Sequence, residues 1–80
     1  MKTKIDIIVD WAIPLEHEEM NANEILNNIK VLFKIFKIPD VVIENNSETI
    51  LYFCNHFQNR SLSLHTLVEN TKWLLTHISY

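Results

Sequence analysis

No glycine occurs among the 80 residues. Phosphate-cradling P-loops, dinucleotide fingerprints and nucleophile elbows all need glycine at fixed places, so none of these chemistries is available. Cysteine is almost as scarce. A lone Cys54 excludes an internal disulfide and any CxxC zinc or redox pair. Long apolar runs are missing too, the longest being Ile50 to Cys54, far below the ~18–20 residues that cross a bilayer. The basic start at Lys2 and Lys4 leads into an apolar stretch cut by Asp6 and Asp10, with no small-residue cleavage site behind it. No secretory signal and no membrane association are expected, and an unpaired thiol suits a reducing compartment, so the expected location is cytoplasmic. Arginine occurs once, at Arg60, and the formal net charge is −3. That field is too weak for ordinary nucleic-acid binding. Lys30, Lys34 and Lys37 do form a stripe, but they read as a solvated helix face.

What remains is ordinary for a globular chain, with 48% of residues of type AVILMFWYC and 21% charged. At this length only one core can form, so residues 1–80 are expected to make a single domain. Residues 4–13 place Ile5, Ile7, Val9, Trp11 and Ile13 on one parity against Lys4, Asp6 and Asp10, which predicts a strand ended by Pro14. Residues 15–20 read as an acidic loop. Asn21 and Glu24 make a capping-box pattern ahead of Ile25, Leu26, Ile29, Leu32, Phe33 and Phe36, predicting a helix over 22–37 stopped by Pro39. Residues 41–44 and 49–56 are rich in β-formers around Asn45-Asn46-Ser47 and predict a hairpin, with a helix beginning at Ser47 as the competing reading of 48–58. Ser63 then caps a closing helix whose apolar face runs from Leu64 to Ile78.

The predicted order is β-α-β-β-α, an α+β two-layer sandwich with a three-stranded sheet and two helices on one face. Its other sheet face would carry Ile50, Tyr52, Cys54 and His56, joined by Ile8 and Val42, as an exposed apolar patch of the kind that docks a partner. Trp73 falls on the outer side of the closing helix beside His77, Thr66 and Tyr80, and tryptophan is prominent among residues that dominate binding. Glu16, Glu18 and Glu19 offer a negative loop suited to a basic surface on a partner protein. Together with His17 they are dense in metal-ligand atoms, yet neighbours on one loop do not converge on a point, so no metal is expected. Cys54 and His56 would share one side of a strand, but no third group orients the histidine, so no catalytic dyad is expected.

The order and length of these elements are similar to those of the DinI-like proteins, small damage-inducible regulators that modulate a recombinase. The likeness lies in architecture and in no motif. That family's closing helix is acidic, whereas Leu64–Ile78 holds only Glu69 against Lys72. Taken together, the sequence points to a non-enzymatic inhibitor or regulator without a cofactor, of the immunity-protein, antitoxin or phage-encoded inhibitor type, which occludes another protein. A homodimeric sensing domain and a nucleic-acid-binding regulator are the alternatives.

Overall fold

Thr3 and Asp6 open the fold. The Thr3 hydroxyl accepts the Asp6 backbone N–H at 3.2 Å, and the Asp6 carboxylate accepts the Thr3 N–H at 3.1 Å. This reciprocal box satisfies two donors that a helix start leaves unpaired, so the chain turns helical at once. In the computed structural model, which describes residues 2–78, α1 spans Lys4–Ala12 and runs into a 3-10 turn at Ile13–Leu15 containing Pro14. Then follow α2 (Ala22–Ile35), α3 (Asp40–Asn45), α4 (Ser47–Phe57) and α5 (Leu64–His77). Among the described residues there is no strand.

The expected α+β sandwich is therefore corrected to an all-helical domain, and the likeness to the DinI-like proteins falls with the sheet. The first strand is a helix because its burial follows a helical period. Ile8 and Ala12, four apart, are fully buried, while Ile5 and Ile13 of the supposed inward parity are half exposed. The hairpin is a helix pair. Ile50, Phe53 and Cys54 are buried and Phe57 partly so, at i, i+3, i+4 and i+7, and this stripe overrides the β preference of the individual residues. Asn46, expected to turn the hairpin, closes α3 and opens α4 instead. Its backbone N–H and its side-chain amide both donate to the Val42 carbonyl, and its own carbonyl accepts from Ile50.

The two helices expected from the sequence are present. Asn21 and Glu24 complete their capping box at 2.9 and 3.3 Å, and Ser63 accepts the Thr66 N–H at the start of α5. α2 stops before Pro39 is reached. Lys37 takes a left-handed conformation, φ 58°, letting its N–H reach the Lys34 carbonyl and that of Ile38 reach the Phe33 carbonyl. This is a Schellman ending with lysine in the place where glycine is usual, locked by buried Ile38 near buried Phe33.

α1 packs on α5, α2 packs on α4, and α4 packs on α5 to join the two pairs. The Cα envelope is a slab of 32 × 30 × 17 Å, thick enough for about two helix layers. Ile29, Leu32, Phe33, Ile50, Cys54 and Leu74 form the centre of one core. Across the helices, the Trp11 indole N–H donates to the Asn28 carbonyl at 2.9 Å. At one pole two loops are seamed together, with His17 N–H donating to Leu62 O at 2.8 Å and Asn59 N–H to Met20 O at 2.7 Å. His17 and Asn59 take positive φ there, a role that falls to non-glycine residues in a chain without glycine.

Candidate protein-binding surface

The predicted sheet-face patch does not exist. Ile8, Val42, Ile50 and Cys54 all lie in the core, Cys54 with 0% exposure, so this thiol is unavailable to a partner. Burial pushes the Cys54 thiol up to about 11, which keeps it protonated. On a helix, residues two apart diverge by about 200°, so Cys54 turns inward and His56 outward, and the pair does not form a dyad.

Four of the expected residues nevertheless meet, for a different geometric reason. Tyr52 and His56 are one turn apart on α4, and Trp73 and His77 are one turn apart on α5. Because α4 and α5 pack together, the two outward pairs become one row of rings. Trp73 stacks on His77 with centroids 4.3 Å apart and planes at 24°. Tyr52 tilts against Trp73 at 6.4 Å and lies parallel to His56 at 5.8 Å. The row then dives inward, as His56 meets Phe57 edge-on at 4.7 Å and Phe57 meets buried Phe53 at 5.0 Å. Tyr52 is 62% exposed and Trp73 39%. The last turn of α5 is tied down as well. His77 Nδ1–H donates to the Trp73 carbonyl at 2.8 Å, which fixes the ring, and the same carbonyl accepts the Thr76 hydroxyl at 2.7 Å. Tyr80 lies outside the described residues, and Thr66 is engaged with Ser63 in the first turn of α5.

The row borders a shallow open groove between α4 and α5, lined by Glu48, Thr49, Tyr52, Trp73 and His77. Glu48 at the start of α4 thus shares a groove with His77 at the end of α5, so the two helices run antiparallel. Sequence reasoning missed Glu48, although a signal was present. Glu48, Tyr52 and His56 on α4 repeat in Glu69, Trp73 and His77 on α5, each an acid–aromatic–histidine series at i, i+4 and i+8.

The acidic loop separates into different roles. Glu16 caps α5, its carboxylate accepting the Leu64 N–H at 3.2 Å, so its charge serves the fold by complementing a helix N-terminus. Glu18 and Glu19 are exposed on the loop that is seamed to residues 59–62. Glu18 and Arg60 border a narrow apolar cleft beneath the seam, where the fully buried Thr71 hydroxyl has no hydrogen-bond partner among the described residues. Lys30 and Lys34 line a groove together with Asp40 and Glu44 of α3, which offsets the stripe's positive field. Among the described residues no three His, Cys, Asp or Glu side chains are placed to hold a metal, and no helix is long and apolar enough to cross a membrane. Comparison with known protein families, with curated proteins and with solved structures finds no match.

Proposed function

We propose that this chain is a non-enzymatic binding protein that acts by covering part of a partner protein, with the ring row of α4 and α5 as its contact surface. The observation that carries the reading is the mutual stacking of Tyr52, His56, Trp73 and His77 on the outside of the molecule. Rings held in place by one another lose little freedom on contact, and tyrosine and tryptophan are the residue types that concentrate binding energy in interfaces. The net charge of −3 favours a partner with a basic surface, because complementary fields speed encounter. A regulator or inhibitor that works by occlusion needs no more than this. The reading also places the protein in the cytoplasm, on the strength of its single unpaired thiol.

The test is co-purification from the native host with the wild type, a Tyr52→Ala/Trp73→Ala double variant, and Val31→Ala, which alters an exposed position on α2. The wild type and Val31→Ala should each hold one partner stoichiometrically, and the double variant should lose it at least tenfold. A wild type that stays monomeric and partner-free defeats the proposal, as does a partner retained by the double variant. A partner that proves to be a second copy of the chain establishes the homodimer instead.

A further inference from the structure

Charge and ring chemistry at the α4/α5 groove say what part of a partner it fits. Among the described residues its only formally charged lining group is the Glu48 carboxylate, at one end, and no lysine or arginine borders it. The indole of Trp73 and the phenol of Tyr52 form its walls, and both present an electron-rich face that attracts cations. The Trp73–His77 stack and the His77 bond to the Trp73 carbonyl hold the larger wall in place before anything binds. The opposite flank of α5 has the reverse character. There Lys4 and Lys72 rim an aliphatic groove shared with α1, containing Ile5, Ile8 and Leu75. Lys72 is ion-paired with Glu69 at 3.3 Å, so the positive character of that flank rests on Lys4, whereas Glu48 makes the ring flank negative.

We propose that the groove takes an arginine side chain projecting from the partner protein, its guanidinium lying against Trp73 and Tyr52 and forking onto Glu48. Arginine suits the site better than lysine because a planar ion can stack on flat rings while its edge bonds a carboxylate through two parallel hydrogen bonds. This inference rests on the contact surface proposed above and names the chemistry that the surface selects.

The probe is N-acetyl-arginine methylamide, titrated into the 15N-labelled protein and compared with its citrulline and lysine counterparts. Citrulline keeps the shape of arginine and removes its charge. The Trp73 indole N–H resonance should move and saturate with the arginine compound, at an affinity about five-fold or more above that for citrulline. The Trp11 indole, bonded to Asn28, serves as the internal control and should stay still. Glu48→Gln should bring arginine binding down to the citrulline level, and Tyr52→Leu should weaken it too, both with unchanged circular dichroism. Equal binding of arginine and citrulline overturns the proposal. So does a response that survives in both variants, and equal binding of lysine overturns the planar recognition on which the choice of arginine stands. Loss of this preference with the co-purification result intact would remove the arginine and keep the docking surface. An arginine response without any stoichiometric partner would do the opposite.

Discussion

Alkylation of Cys54 separates the helical fold from the hairpin that its residues also suggest. On the outer face of a sheet this thiol would meet solvent, whereas on α4 it has 0% exposure. Two routes lead to a labelled native protein. Attack on the closed state needs access and a thiolate, and at pH 8 a thiol near 11 is ionised about a hundredfold less than one at 9.0. Attack through the open state depends on unfolding. A stability of about 4 kcal/mol, the low end for this length, leaves roughly one molecule in a thousand open. Iodoacetamide at pH 8, followed by mass spectrometry, should therefore label the native protein about a thousandfold more slowly than the protein in 6 M guanidinium (a rate set by the open fraction). Native labelling within about tenfold of the denatured rate would refute the burial of Cys54, and with it the stripe that makes α4 a helix. The pH dependence supplies a second readout. The unfolded thiol releases its proton near 9.0, while the folded one retains it to about 11. Above pH 9 the folded state binds more protons, so the full contribution is present below pH 9 and is lost between about 9 and 11, by at most about 2–3 kcal/mol. Cys54→Ala should remove that part of the alkaline decline relative to the wild type, whatever its effect at neutral pH.

Lys37→Gly should raise stability by about 0.5–1 kcal/mol in urea melts, since it relieves a side chain at φ 58° and keeps both Schellman bonds; an unchanged or lower midpoint would contradict the left-handed ending of α2. Glu16→Ala should cost about 0.5–1 kcal/mol by removing the acceptor of the Leu64 N–H, and it should leave partner binding unaltered. Weakened binding at full stability would return Glu16 to the contact surface.

The two helices with strong end signals were legible in the sequence. Asn21, Glu24 and Ser63 bond as their spacing indicates, and the stripes of α2 and α5 are buried as read. α1 and α4 were misjudged for one shared reason. Ile-Ile-Val and Ile-Leu-Tyr-Phe-Cys are short, rich in β-formers and apolar on both parities, so period two and period 3.6 fit them nearly alike. What decides between them is non-local: α1 packs on α5 and α4 packs on α2 and α5, with Ile8 of α1 and Ile50, Phe53 and Cys54 of α4 buried in the shared core. One local clue did exist, since Thr3 with Asp6 is a capping pattern. The ring row was half legible. Tyr52, His56, Trp73 and His77 stood out individually, but only the antiparallel contact of α4 with α5 assembles them and adds Glu48. Cys54 was grouped with them by strand parity, and Glu16 by its charge. Neither the inward turn of a helix nor a cap reaching across 48 residues is written in local spacing.

The pairing of α1 with α5 has a practical corollary. Lys4 and Thr76 border one groove, so the start of α1 and the last turn of α5 lie at the same pole, with Thr76 between Trp73 and His77 in the chain. A bulky label on Thr76 would stand beside the ring row and shade its Trp73 end. The seam of residues 17–20 with 59–62 lies about 20 Å away along α5, beside the His56 end of the row, so a label attached there would leave the Trp73 end clear.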